Sequence, residues 1–188
     1  MVERDRHQEM YMSEIEQLVK NAEDYAGHFD HEALPLRPRK HVAVLACMDA
    51  RLRIYGLLGL EEGDAHIIRN AGGIASDDAI RSIIISQRLL DTREIIVIHH
   101  TDCGMETFTD DALKAEIEQE TGIRPPFAFE AFVDAEDDVR QTIARLRSSL
   151  FIPYRDNIRG FIFEVETGKM REVDYSSPVS PAAGSRIE

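Results

Sequence analysis

Two short stretches of this chain gather side chains that bind metals or move protons: Cys47-Met48-Asp49-Ala50-Arg51 and His99-His100-Thr101-Asp102-Cys103-Gly104. Between them they hold both of the chain's cysteines. Two thiolates, an imidazole and a carboxylate make a complete tetrahedral set, in which soft sulfur and borderline nitrogen favour zinc over magnesium or calcium. Cys47, His100 and Cys103 are therefore expected to bind Zn2+, with Asp49 as the candidate fourth ligand. A lone cysteine is usually just a buried small hydrophobe. Packing explains less well why both cysteines stand beside Asp, Arg and His. A redox pair would leave His100 and Asp49 without a role, and the Cys-x-x-Cys spacing is absent. A nucleoside-deaminase type of zinc site needs Pro-Cys-x-x-Cys and His-x-Glu, which are also absent.

The elements around these stretches decide whether residues some fifty positions apart can meet. His41 to Ala46 is a continuous apolar run that ends at Cys47, and Glu94 to Ile98 is a second that ends at His99. Both read as strands buried on two faces. Ala65 to Ile68 reads as a short strand, and Arg159 to Val165 as another that turns at Thr167-Gly168-Lys169 into Met170 to Asp174. Helices are expected from the capping-box sequence Ser13-Glu14-Ile15-Glu16 to about Ala26, from Arg51 to Leu58, and after Ser76 with Ile80, Ile83, Ile84 and Leu90 as its buried stripe. Two more are expected from Thr109 to Gln119 and along Val139, Ile143, Leu146 and Leu150. Alternating strands and helices predict a single α/β domain: a mostly parallel sheet, helices on both faces and an antiparallel edge strand. In such a sheet the strand carboxyl ends share one edge, where ligands gather. Both clusters fall there.

Composition narrows the partners. The 188 residues include 22 Lys and Arg against 35 Asp and Glu, a net charge of −13. Such a chain repels phosphate backbones and anionic lipid, so neither nucleic acid nor membrane is an expected partner. The longest unbroken apolar stretch runs only from Val42 to Met48, far short of the roughly 20 residues of a membrane span. A cytoplasmic protein is expected, with one domain over residues 13–175, a flexible N-terminus over 1–12, and a flexible or partner-docked tail over 176–188.

Three motifs in this order, Cys47-x-Asp49-x-Arg51, Arg69-Asn70-Ala71-Gly72 and His100-x-x-Cys103-Gly104, resemble the β-class carbonic anhydrases. The likeness spans about residues 13–174 and is closest to the compact bacterial branch. It implies a zinc enzyme that hydrates CO2 to bicarbonate, a mostly parallel sheet, and a homodimer or dimer of dimers whose N-terminal helix reaches across to the partner. Carbonyl sulfide and carbon disulfide hydrolases share that scaffold, so hydrolysis of either compound is the alternative activity. A non-catalytic, zinc-stabilised binding module is a second alternative. Met105 follows Gly104 where many members carry a second small residue.

The site's own chemistry adds an expectation. Zinc with two thiolates and one neutral imidazole has no net charge, so it acidifies water less than a three-histidine site does, and activity should rise on the alkaline side. Asp49 on the metal would fill the place that water needs. Arg51, two positions on and always charged, is expected to hold Asp49 away through a bidentate pair, so that the carboxylate orients zinc-bound hydroxide toward CO2. Asp49 and Arg51 are thus the expected catalytic pair and gate. Ala71, Gly72, Gly73 and Gly104 are expected to leave room for a small linear substrate, while His99 stays outside the catalytic set.

Overall fold

The computed structural model describes residues 13–29 and 34–175. The termini expected to be flexible, 1–12 and 176–188, lie outside the described residues. The described chain divides at Leu34 and Pro35 into two compact units. The first carries helix α1, Glu14–Gly27, which opens with the expected capping box: Ser13 accepts from the Glu16 amide, and the Glu16 carboxylate accepts from the Ser13 amide. All its side chains are exposed, including Ile15, Leu18 and Val19.

The second unit is built on five strands, β1 (Val42–Cys47), β2 (Ala65–Asn70), β3 (Glu94–His100), β4 (Ile158–Phe163) and β5 (Met170–Glu172), in the order β2-β1-β3-β4-β5. The first four run parallel, and β5 closes the edge antiparallel to β4. β1 is flanked on both sides, which is why its residues from Ala43 to Cys47 are all buried and its sequence is apolar throughout rather than alternating.

Four helices accompany the sheet: α2 (Ile54–Leu58), α3 (Asp77–Arg88), α4 (Asp110–Thr121) and α5 (Ala135–Ser148). On one face Leu45, Ile95, Val97, Ile158 and Ile162 pack with Ala79 and Ile83 of α3 and with Val139, Ile143 and Leu146 of α5. Gly160 lets α5 lie close to β4, because a β-carbon there would stand 2.8 Å from Ile143 Cδ1. The other face carries Val44, Ala46 and Ile98 against Leu52, Ile54 of α2, Met105 and Phe132, so irregular chain covers much of it. Ser76 and Asp134 cap α3 and α5 through the amides of Ala79 and Asp137.

Three helices differ from expectation, and α3 is one of them: it ends at Arg88, so Leu90, expected on its buried stripe, lies beyond it and is half-buried. The helix expected from Arg51 begins only at Ile54, since Arg51 is drawn into contacts with Asp49 and Asp102. Leu150 was expected on the buried stripe of α5, but Ser149 turns extended and ends the helix, leaving Leu150 81% exposed. Among the described residues no helix is long and apolar enough to cross a membrane.

Candidate metal centre

β1 and β3 are hydrogen-bonded neighbours in parallel register, with Ala46 opposite Ile98, so the residues that follow each strand emerge on the same sheet edge. Cys47 ends β1, His100 ends β3, and Cys103 lies in the turn beyond it. All three are buried, and their candidate ligand atoms lie within 4.8 Å of one another. The three expected ligands, from two stretches more than fifty positions apart, therefore form one cluster. Asp49 is not a member of it.

The cluster fits a soft divalent metal. His100 Nδ1 donates to the Thr101 carbonyl at 2.8 Å, which fixes the tautomer and leaves Nε2 with a lone pair. Nε2 is fully buried and meets no hydrogen-bond partner among the described residues. An orphaned buried nitrogen costs on the order of 1–3 kcal/mol, a cost that metal ligation would remove. The sulfurs are set up alike. A hydrogen bond from the Cys103 thiol holds Cys47 well below the usual thiol range against the opposing effect of burial, and the Asp49 and Gly72 amides reinforce it. The same contact, with burial, pushes Cys103 up. A cation bound by both sulfurs would take the place of the thiol proton between them.

Asp49 faces Arg51 instead. Arg51 Nε lies 3.0 Å from Asp49 Oδ1 and Nη2 lies 2.8 Å from Oδ2, while the Arg51 amide also donates to Oδ1 at 2.8 Å. The guanidinium holds the Asp49 carboxyl far below the ordinary carboxylate range, outweighing its partial desolvation. Asp49 Oδ2 nevertheless stays 3.8 Å from His100 Nε2. The carboxylate borders the cluster without belonging to it.

Other residues acquire roles that spacing did not reveal. Arg69 of β2 donates from Nε and Nη2 to the Cys47 carbonyl at 3.0 and 2.8 Å, and from Nη2 to the Asp49 carbonyl at 2.6 Å, bracing the turn that carries both side chains. Asn70 receives the Ile74 amide and donates to the Ile74 carbonyl and Ser76 Oγ, tying β2 to the start of α3. Asp102 binds Arg51 from the far side. The motif strings contained all three residues, but their partners lie on other elements.

The small residues divide by position. Gly73 has φ +76°, and a β-carbon there would meet Cys47 N at 2.7 Å, Ala46 C at 2.9 Å and the Ile98 carbonyl oxygen at 3.0 Å. Its lack of a side chain lets the Ala71–Gly73 turn lie on the backbones of β1 and β3. Gly72 faces the side chains of Ile74, Phe132 and Met105, Ala71 packs half-buried on the same cluster, and Gly104 has open space beside it. His99 is fully buried with its ring against Phe132, its Nε2 2.7 Å from Asp138 Oδ2 of α5. It tethers β3 to α5.

Comparison with known proteins agrees with this geometry. A carbonic anhydrase family profile matches residues 42–125. The chain is 53% identical over 162 residues to Beta-carbonic anhydrase 1 of Mycobacterium tuberculosis, across 86% of this chain and 99% of that protein. It is 34% identical to a carbon disulfide hydrolase of Acidianus, across 84% of this chain and 88% of that one. The crystal structure of carbonic anhydrase from Streptococcus mutans superimposes with a TM-score of 0.82 at 43% identity, covering 88% of this chain and all of that one. With its sheet, its buried Cys-His-Cys cluster and relatives matched over nearly their whole length, this chain belongs to the β-carbonic anhydrase family.

Proposed function

We propose that the protein catalyses the reversible hydration of CO2 to bicarbonate and a proton, with Zn2+ held by Cys47, His100 and Cys103. The observation that carries this reading is the buried three-donor cluster beside a carboxylate that Arg51 holds apart. When bound, the metal would supply the Lewis acidity that makes water a nucleophile, increasingly so on the alkaline side. Arg51 takes both acceptor sites of Asp49 Oδ1 and one of Oδ2, so the remaining site on Oδ2 can accept a hydrogen bond from the attacking water and aim that water's lone pair at the carbon of CO2. Released from Arg51, the same carboxylate could supply a fourth donor and would then shut out substrate. The two positions of one side chain are the gate. A structural zinc site is closed by four protein ligands, whereas a catalytic one keeps three and an open place. Arg51's hold on Asp49 thus favours an enzyme over a zinc-stabilised binding module.

Hydrolysis of carbonyl sulfide or carbon disulfide is the second reading, supported by relatives named carbon disulfide hydrolases at 34% identity. The greater likeness to a carbonic anhydrase, 53%, supports CO2 as the first reading. Sulfide release from carbonyl sulfide, assayed beside CO2 hydration on one preparation, separates them: turnover of CO2 well above that of carbonyl sulfide is expected, and the reverse order would exchange the two readings.

The exposed apolar residues Ile15, Leu18 and Val19 on α1 support a further part of the proposal, that α1 packs on a second subunit in a homodimer or dimer of dimers. Sedimentation should find no monomer at micromolar concentration, and an active monomer there would contradict it. A reducing compartment such as the cytoplasm suits a centre that depends on two free thiols.

A further inference from the structure

Arg51 is held from two sides. Asp49, in its own turn, takes Nε and Nη2. Asp102, in the turn that carries Cys103, takes Nη1 on Oδ2 at 2.7 Å and Nη2 on its backbone carbonyl at 2.9 Å. Four of the five guanidinium N–H groups are then committed, two to each aspartate. Asp102 sits at φ +54°, in the left-handed region that few residues other than glycine adopt readily and that Asp tolerates. In that conformation its carbonyl and its carboxylate both reach one guanidinium. The side chain of Asp102 is 72% exposed and that of Arg51 is 46% exposed, so the contact excludes little apolar surface and its main effect is to fix an arginine.

We propose that Asp102 is the positioning residue for Arg51, a fixed post that keeps the guanidinium in place whether or not Asp49 is on it. The inference rests on the reading that Arg51 holds Asp49 off the metal. With Asp49 as its only anchor, a long flexible side chain would swing into solvent each time the carboxylate let go, and the ordered pair would have to be rebuilt from a mobile arginine. With Asp102 as a second anchor, Arg51 waits in a preorganised fork and Asp49 alone moves. The same contact joins the turn that follows Cys47 at the end of β1 to the turn after β3, which carries Cys103. Asp102 touches no reacting atom. It acts through Arg51.

The test is a double-substitution cycle on the zinc-loaded protein, using Asp102→Gly, Asp102→Asn, Arg51→Ala and the pair Arg51→Ala/Asp102→Gly. Glycine keeps the positive φ and the carbonyl but removes the carboxylate, and asparagine keeps both together with a neutral acceptor. Asp102→Gly should lower kcat for CO2 hydration by about tenfold with KM little changed, and Asp102→Asn by about threefold. In the Arg51→Ala background the further loss from Asp102→Gly should shrink to less than about twofold, because its target is gone. Independently of activity, exchange of the Arg51 Nε proton, followed by 15N NMR, should quicken by about fivefold or more in Asp102→Gly, while zinc stays at about one per chain.

A parental kcat and unchanged exchange in Asp102→Gly, beside a slow Arg51→Ala, would overturn this inference and leave the gate standing. So would an equal loss in both backgrounds, or loss of zinc, since either assigns Asp102 to the Cys103 turn alone. A parental rate in Arg51→Ala would instead remove the gate, and the role of Asp102 with it.

Discussion

The Arg51 guanidinium occupies both oxygens of the Asp49 carboxylate, yet Oδ2 of that carboxylate lies only 3.8 Å from Nε2 of His100. A single acidic group therefore stands between an arginine and a cluster of metal donors, close enough to serve either. The first prediction follows from that position. Arg51→Ala should leave zinc bound but free Asp49 to ligate it, lowering CO2 hydration at least about a hundredfold, roughly 2.7 kcal/mol of transition-state stabilisation. Crystals of the variant at alkaline pH should show Asp49 as a fourth ligand, and crystals of the parent should show it on Arg51. Asp49→Ala should also be slow, with its metal retained and no fourth protein ligand. Near-parental activity in Arg51→Ala would return Arg51 to an ordinary surface arginine.

The metal itself gives the second prediction. Purified protein should carry about one zinc per chain, and stripping it should leave His100 Nε2 and the two sulfurs buried without a cation. Activity should vanish and the melting temperature should fall, and zinc should restore both. Less than about a tenth of an equivalent in folded, active protein would exclude the assignment.

Gly73 and Gly104 give the third, because the structure treats them differently. Gly73→Ala forces a β-carbon onto the backbone of Cys47 and Ile98 at a positive φ, so it should cost about 2–4 kcal/mol by denaturant titration. Gly104→Ala meets open space and should cost less than about 1 kcal/mol. Equal effects would mean that the Ala71–Gly73 turn does not rest on β1 as described.

Much of this was legible in the sequence because the strands announce themselves. β1 is apolar throughout and β3 is apolar from Ile95 to Ile98, so their carboxyl ends, and with them Cys47 and His100, fall on one edge by sequence alone. The antiparallel β4–β5 edge was legible from Thr167-Gly168-Lys169. Contacts that depend on register were not. Arg69 reaches carbonyls 20 and 22 positions away and Asp102 reaches an arginine 51 positions away, distances at which composition and periodicity carry no signal. Gly73 reads as a small residue that leaves room for substrate until the backbones of β1 and β3 are seen against it. Leu150 keeps the helical period of α5, but Ser149 ends the helix first, a local conformation that hydrophobic spacing does not encode.

Stopped-flow CO2 hydration by the zinc-loaded protein, run beside His100→Ala, decides whether the Cys-His-Cys cluster is the catalytic centre. Rapid turnover that rises on the alkaline side is expected in the parent, and a loss of at least about a hundredfold together with weakened zinc retention in the variant, which lacks one of three ligands. Parental turnover in His100→Ala, or no hydration by parent protein carrying a full equivalent of zinc, would contradict it.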